Sequence, residues 1–185
     1  MHHINFDIPS TQLVEIHVHT EQDEEFFSIG YIIKNAPDYL LFQSVSEQGI
    51  LDNIQYRKKE SISEIEIETD YLKMYEQFIF YTKANHIFDC FKLETIGNQF
   101  IKFNFEEMLD FCLKENKIIS LVSDLSDDLL IGKIILADTK KIVFAEIDFE
   151  EMNYFEKHTI SKEAIQYLEL ISAENILYTQ YEQHK

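Results

Sequence analysis

Two histidines, His17 and His19, are the residues whose types and spacing best suit metal chemistry in this sequence. They stand two apart in a β-branched run, Leu13 to Thr20, which predicts a strand. Successive side chains of a strand alternate between its faces, so both imidazoles would lie on one face. An acidic turn follows and could add a carboxylate (Asp23, Glu24, Glu25). The pattern predicts a metal site at His17 and His19; the alternative is the polar face of an edge strand, because no third ligand has a defined spacing.

Motifs of other catalytic chemistries are absent from the sequence. It contains no glycine-rich phosphate loop, no nucleophile elbow and no Cys-x-x-Cys pair. The two cysteines, Cys90 and Cys112, are flanked by phenylalanine and leucine, which predicts buried free thiols rather than a disulfide or a metal site. We therefore expect no enzymatic activity and no cofactor. A metal-dependent enzyme centred on His17 and His19 is the alternative.

The charge of the chain restricts the partners that it could bind. Acidic residues outnumber basic ones 34 to 16, the formal net charge is −18, and Arg57 is the only arginine. Nucleic-acid binding needs clustered Lys and Arg facing phosphate, so we expect no nucleic-acid partner. The acidity is typical of a well-solvated surface, and it also suits a basic protein partner. One alternative function follows directly: an acidic, immunity-type inhibitor of a basic toxin or nuclease.

The apolar segments of the sequence are short. No run of 18 apolar residues occurs, and no basic stretch precedes an apolar one near residue 1. We therefore expect a cytoplasmic protein without a membrane partner. With 45% hydrophobic and 14% aromatic residues in 185, the chain can bury a core large enough for two small, closely packed units.

The elements that must position these residues repeat about a hundred residues apart. Residues 29–33 (Ile-Gly-Tyr-Ile-Ile) match residues 131–135 (Ile-Gly-Lys-Ile-Ile). Further matches follow in the same order: Leu40, Leu41, Phe42 and Val45 with Ile142, Val143, Phe144 and Ile147; Ile65-Glu66-Ile67 with Leu168-Glu169-Leu170; and Leu72 and Tyr75 with Ile176 and Tyr178. Each copy predicts about five strands and a following helix, which favours an internal duplication.

Between the copies, two segments depart from the strand pattern. A helix from Asp70 would carry aromatic residues nearly all round, which is typical of a helix buried between units or in an oligomer interface; the candidate interface residues are Tyr71, Tyr75, Phe78, Phe80 and Tyr81. Residues 91–103 predict a hairpin with Gly97-Asn98 as its turn. Asn104 and Glu107 then form a capping box that predicts a helix over 105–115.

The glycine in the second strand, the curved third strand and the short fifth strand of each copy resemble the Sm-like (LSm) small β-barrel. The resemblance implies a mainly β (α+β) fold with two tandem five-stranded barrels, connecting helices and an inserted hairpin. RNA-binding members of that family carry Asp and Asn between strands two and three and Arg-Gly before strand five. Here those positions hold Ala36 and Leu40 in one copy and Asp138 and Ile142 in the other, and neither copy has Arg-Gly. The resemblance therefore implies the fold without its RNA site.

The expected organisation is a first barrel with its following helix (1–85), a connecting hairpin (86–104), and a helix with the second barrel (105–185). The leading functional hypothesis is a non-enzymatic protein-binding or scaffold module. Its partner would be a protein, and a basic protein if the acidic surface drives binding. Association of identical chains is a further prediction.

Overall fold

The computed structural model describes residues 4–18, 26–124, 126–148, 150–151 and 153–184. Within these ranges the chain forms ten strands and four α-helices. The strands are β1 (Leu13–Val18), β2 (Phe26–Asn35), β3 (Tyr39–Val45), β4 (Leu51–Lys58), β5 (Ile62–Ile67), β6 (Ile119–Ser123), β7 (Ser126–Ala137), β8 (Lys141–Asp148), β9 (Asn153–Ser161) and β10 (Ile165–Ser172). The helices are α1 (Asp70–Ala84), α2 (Leu93–Gly97), α3 (Phe105–Lys114) and α4 (Ala173–Gln183). The chain is mainly β, as the sequence predicts.

The two halves of the chain have the same strand order. In the first half (β1–β5) the order across the sheet is β5-β1-β2-β3-β4, and in the second half (β6–β10) it is β10-β6-β7-β8-β9. Neighbouring strands pair antiparallel throughout. The ladder between the second and third strand of each half shifts register at a bulge after Ile32 and after Ile134. These bulges bend both halves at corresponding places.

All ten strands belong to one sheet, and that sheet is open. Its two edges are β5 and β9, and no backbone pairing between described residues joins them. The two closed barrels of the sequence analysis are therefore not observed as closed hydrogen-bonded rings, although the strands of both sets are present in their expected order along the chain.

One glycine in each half marks a close approach between strands. A Cβ built on Gly30 would lie 2.0 Å from the carbonyl oxygen of Gln43, and one built on Gly132 would lie 2.0 Å from that of Ala145. Only a residue without a side chain fits such a contact, because the obstruction is backbone. The glycine that the two repeated segments share is therefore required for the same reason in both halves.

The halves are joined by a pairing between β4 and β10, which we call the inner junction. It sets Glu169 opposite Gln55 and Leu168 opposite Tyr56. Helix α2 packs against both strands and so covers the inner junction. The second half thus extends the sheet of the first half through main-chain hydrogen bonds between two edge strands.

The hairpin predicted over residues 91–103 is wrong. The segment forms α2, followed by a 3-10 helix from Asn98 to Lys102. The carboxylate of Asp89 accepts hydrogen bonds from the backbone N–H groups of Leu93 and Glu94, which satisfies the first turn. Gly97, the expected turn residue, instead packs closely against the side chain of Ile54 in β4. The connection between the halves is therefore helical.

The helix predictions for α1 and α3 are confirmed. Thr69 caps α1 by accepting from the N–H of Leu72, and the predicted capping box forms between Asn104 and Glu107 with both hydrogen bonds present. Cys112 on α3 is a buried free thiol, as predicted, whereas Cys90 is exposed, contrary to the prediction. No helix in the described part of the chain has the length and apolarity needed to cross a bilayer.

Candidate functional site

A histidine and two glutamates converge where β5 pairs with β1, and we call them the His17 cluster. The register sets Glu15 opposite Glu66, and Glu15 shares a strand face with His17. The Nε2 atom of His17 lies 3.1 Å from Oε1 of Glu15 and 3.7 Å from Oε2 of Glu66. This Nε2 atom is buried, and no described group forms a hydrogen bond of good geometry with it. The cluster therefore holds a buried nitrogen between two carboxylates.

The His17 cluster has the donor set and the spacing of a cation site. Zinc bound at about 2.1 Å by nitrogen and oxygen in a tetrahedron separates its ligand atoms by roughly 3.4 Å. The two separations in the structure, 3.1 and 3.7 Å, bracket that value. Burial raises the pKa of Glu15, although the neighbouring His17 acts in the opposite direction. Of the predicted ligands, His17 is in this cluster, while His19 and the acidic turn (Asp23, Glu24, Glu25) lie outside the described residues.

A second cluster with the same composition lies at the opposite edge of the sheet. Glu146, Glu156 and His158 bring one ligand atom each within 4.8 Å of one another. The Nε2 atom of His158 lies 2.6 Å from Oε2 of Glu146, so this imidazole, unlike that of His17, has a hydrogen-bond partner. We call these three residues the His158 cluster. Each edge of the sheet therefore carries one histidine with two glutamates.

A half-buried carboxylate occupies the inner junction. Glu169 accepts hydrogen bonds from Asn53, Ser120, Tyr167 and Asn175, at donor–acceptor distances of 3.2, 3.3, 3.1 and 3.1 Å. Asn53 belongs to β4 of the first half, so the network crosses between the halves. Burial raises the pKa of Glu169 in spite of these donors. The network fixes the register of the inner junction, because a shifted strand would leave these polar groups unpaired.

An exposed aromatic surface runs along α1. Tyr71, Met74, Phe78 and Tyr81 repeat at helical spacing and are 42%, 41%, 38% and 65% exposed. Phe27 of β2 extends the row, since its ring centroid lies 6.0 Å from that of Tyr71. We call these five residues the α1 ridge. Large side chains placed together on a surface mark an interaction site more often than single exposed ones do.

The five interface residues of the sequence analysis fall into three environments. Tyr75 is buried against the sheet at 4% exposure, whereas Tyr71, Phe78 and Tyr81 belong to the α1 ridge. Phe80 points away from both and is 73% exposed. We expected this helix to be enclosed between the two halves, but its outer faces are exposed. These exposed faces could contact another chain, so the interface stays a prediction.

The positions at which the Sm-like resemblance would place RNA contacts have structural roles instead. Ala36, Leu40 and Ile142 are buried, with exposures of 8%, 0% and 0%. Asp138 accepts hydrogen bonds from the backbone N–H groups of Lys140 and Lys141, which lowers its pKa and closes the turn before β8. No group at these four positions faces outward to bind a base except the carboxylate of Asp138, which the turn already uses.

Two cavities beside the core are small. One, lined in part by Phe100, Phe111 and Ile176, has a volume of about 30 Å³, and one beside Tyr154 and Tyr181 has about 20 Å³. Volumes of this order hold one or two water molecules. Small-molecule sites usually have about 300–1,000 Å³. Neither cavity is a candidate substrate pocket.

The sequence analysis missed most members of the two histidine clusters. Glu15 carries a local signal, because it stands two residues before His17 in the same strand. Glu66 has no such signal, since it joins His17 only through the pairing of β5 with β1. His158 and Glu146 likewise meet through the pairing of β8 with β9. Finding these residues requires the strand register.

Comparison of the chain with models of protein families, with curated proteins and with solved structures found no match.

Proposed function

We propose that this chain is a non-enzymatic protein-binding scaffold made of two Sm-like units in tandem, and that the α1 ridge is its binding surface. Support for the two units comes from the strand order that both halves share and from the equivalent close contacts of Gly30 and Gly132. Support for binding comes from the large aromatic side chains that are exposed along α1.

The α1 ridge is the observation that carries the proposal. Tyrosine, phenylalanine and methionine are enriched at the centre of protein interfaces, where they bury large areas at a low cost in conformational entropy. The ring of Phe27 contacts that of Tyr71, and the buried ring of Tyr75 contacts both Tyr71 and Phe78, so packed aromatic rings support the ridge from below. Such a row suits a partner segment with apolar anchors spaced along it.

The charge around the α1 ridge favours a basic partner. Glu47 and Glu15 lie near enough to Tyr75 to add to the increase in its pKa that burial causes. The chain carries 34 acidic residues against 16 basic ones. Lysine or arginine from a partner could pair with the exposed carboxylate of Glu47 and stack on the tyrosine rings. An immunity-type inhibitor of a basic toxin or nuclease is one specific form of this proposal.

Capture from lysate with matched surface variants tests the α1 ridge. We expect the wild-type chain to retain a basic protein at physiological salt, and the double variant Met74→Ser/Tyr81→Ser to lose it. The control is Leu136→Ser/Leu177→Ser, because those side chains are 64% and 56% exposed on the other half. Equal retention by both double variants would remove the α1 ridge from the proposal.

Metal binding at the His17 cluster is a second candidate function, and the position of the buried Nε2 atom of His17 between the carboxylates of Glu15 and Glu66 favours it. In this form Glu15, His17 and Glu66 would hold a divalent cation, and a metal-dependent enzyme would have its centre there. Calorimetric titration with zinc chloride tests it. We expect one binding event per chain, which His17→Ala abolishes. The control is His184→Ala, which replaces an exposed histidine after α4 and should retain the binding event. Unchanged binding in His17→Ala would exclude the His17 cluster.

A further inference from the structure

The inner junction contains carboxylates that have no basic partner among the described residues. Asp52 on β4 and Glu169 on β10 are linked through one amide, because Nδ2 of Asn53 donates to Oδ2 of Asp52 at 2.9 Å and to Oε2 of Glu169 at 3.2 Å. Glu174, in the first turn of α4, lies near enough to Asp52 to raise its pKa. No described Lys, Arg or His side chain forms an ion pair with Asp52 or Glu169. Negative charge is therefore concentrated at this place in the fold.

The start of α4 offsets only part of that charge. Ser172 caps this helix by accepting from the backbone N–H of Asn175, and a helix N-terminus is equivalent to about half of one positive charge. Burial raises the pKa of Asp52 and of Glu169, and a neighbouring carboxylate raises each of them further, although hydrogen bonds lower that of Glu169. The ionised carboxylates therefore lack a cation of matching charge.

Two buried amide oxygens in the same network lack a hydrogen-bond donor among the described residues. Asn53 and Asn175 are 4% and 3% exposed, and the Oδ1 atom of each is buried without a partner. Both amides lie against Glu169, because their Nδ2 atoms donate to its carboxylate at 3.2 and 3.1 Å. Buried acceptors without a partner are rare in folded proteins and indicate a missing water or ion.

Rotation of both amides by a half turn exchanges each oxygen with its nitrogen. The last torsion of asparagine is broad and roughly two-fold, so both orientations are accessible. The rotated oxygen of Asn53 then takes the place of Nδ2, near the oxygens of Asp52 and Glu169, and that of Asn175 takes a place near Glu169 in the same way. The separations at these places are 2.9, 3.2 and 3.1 Å. Neighbouring oxygens around calcium, bound at 2.3–2.6 Å in a pentagonal bipyramid, are about 2.7–3.7 Å apart.

We propose that the inner junction binds one calcium ion through the carboxylates of Asp52 and Glu169 and the amide oxygens of Asn53 and Asn175. We call these four residues the junction cluster. Calcium takes six to eight oxygen ligands, among them carboxylates, amide carbonyls and water. Glu169 contacts one amide through each of its oxygens, so a bidentate carboxylate adjoins both amide oxygens. Asp52 and Glu169 are half-buried, which leaves a path for the ion and for the waters that complete its coordination.

Bound calcium ties the two halves of the chain together. Asp52 and Asn53 belong to β4 of the first half, whereas Glu169 and Asn175 belong to β10 and α4 of the second. These ligands meet only when β4 and β10 are paired. A ligand that binds the folded state alone stabilises it further with each increase in free concentration. The proposal depends neither on the α1 ridge nor on the His17 cluster.

Calorimetric titration with calcium chloride, on chain freed of metal with EDTA, tests the proposal. We expect one binding event per chain. Above the dissociation constant, each tenfold increase in calcium should raise Tm by about 3–5 °C. Magnesium chloride at equal concentration is the control, because any divalent cation screens a chain with a net charge of −18. The absence of a binding event, or a rise in Tm no larger than magnesium gives, would overturn the proposal.

Matched variants locate the ion. Asp52→Asn keeps an oxygen that can accept from Asn53 but removes one charge, so this variant should melt in EDTA at or above the wild-type temperature. We expect its dissociation constant for calcium to increase on the order of tenfold or more. The control Asp110→Asn makes the same change on the exposed face of α3 and should bind calcium as the wild type does. His17→Ala should also leave calcium binding unchanged, which separates this site from the His17 cluster. Equal affinity in Asp52→Asn and Asp110→Asn would overturn the location.

The side-chain amide resonances of Asn53 and Asn175 report the rotation. Calcium should replace the hydrogen bonds from both amides to Glu169, so these two resonance pairs should shift in NMR spectra with the stoichiometry of the calorimetric event. The control is Asn85, whose amide donates to the backbone of Tyr81 on α1. Calcium binding that leaves Asn53 and Asn175 unshifted would place the ion elsewhere and overturn the proposal.

Discussion

Alanine at Gly30 or Gly132 probes the close approach that both halves of the sheet share. The added Cβ would lie 2.0 Å from the carbonyl oxygen of Gln43 or of Ala145. Carbon–oxygen contacts between strands settle at about 3.3–3.6 Å, so the obstructed strand must move by more than about 1 Å. That movement breaks the ladder at the Gly30–Ser44 pairing or at its counterpart. The two substitutions should therefore have similar and large effects.

The expected magnitude follows from the kind of atom that is obstructed. Overpacking a core costs about 1–3 kcal/mol when side chains can adjust, and more when they cannot. Here the obstruction is main chain, so we expect a loss of about 3 kcal/mol or more for each substitution. For a chain of this length, 1 kcal/mol corresponds to a shift in Tm of about 2–4 °C, which predicts a decrease of roughly 6–12 °C. Gly97→Ala is the comparison variant, because its Cβ would lie 2.6 Å from Cγ1 of Ile54, a side chain rather than main chain, so we expect a smaller loss of about 1–3 kcal/mol.

Thermal melting followed by far-UV circular dichroism measures all three variants under one condition. We expect Gly30→Ala and Gly132→Ala to melt at similar, clearly lower temperatures, and Gly97→Ala to lose less than either. A loss below about 1 kcal/mol in both strand variants would refute the close-approach argument, since overpacking alone costs at least that much. A large loss in one and none in the other would refute the equivalence of the two close contacts.

Three further predictions concern single side chains. Burial raises the pKa of Glu169 above 4.5, so the folded state holds this proton more tightly than the unfolded state does. The contribution of Glu169 to the free energy of unfolding should therefore fall as pH rises from 4.5. Glu169→Gln should reduce that slope in urea titrations. Asn104→Ala removes the capping box with Glu107 and should cost about 1 kcal/mol in the same assay; no loss would contradict the cap. Burial raises the pKa of Cys112 to about 12, so a thiol reagent at neutral pH should label Cys90 alone in the native protein, and labelling of both cysteines would contradict the burial.

Most of the secondary structure follows from short-range patterns in the sequence. Alternating apolar residues predict strands in both halves, and each of the ten strands lies close to a predicted one. The capping box at Asn104 predicts the start of α3 because its two hydrogen bonds join residues only three apart. Local interactions decide these features, so local sequence is sufficient to find them.

Residues 91–103 show where a local pattern supports two structures. Apolar residues flank Gly97-Asn98 as they would in a hairpin, and Leu93, Ile96 and Phe100 also repeat at helical spacing. The segment is helical because this conformation buries Leu93 and Phe100, which are 0% and 1% exposed, and packs α2 on both strands of the inner junction. That surface exists only after the two halves have paired.

The exposure of individual aromatic and thiol groups also depends on the complete fold. The periodicity of α1 predicts an apolar helix but does not distinguish Tyr75, which packs on the sheet, from Phe80, which faces away from it. Cys90 has phenylalanine two positions before it and one after it, yet it is exposed. Neighbours in sequence predict burial only when a packed surface lies on the same side.

The sequence by itself determined the mainly β composition, the order of strands along the chain, the acidic character and the presence of His17 as a candidate ligand. Tertiary structure alone decided which strands are neighbours, and so decided that Glu66 joins His17 and that β4 pairs with β10. The alternation of apolar and polar residues predicts which face of a strand is buried. It does not predict the neighbouring strand, because main-chain N–H and C=O groups are alike along the sequence and can pair with any edge. The choice among edges depends on long-range packing and on half-buried polar groups such as Glu169, whose hydrogen bonds to Asn53 and Ser120 require this register.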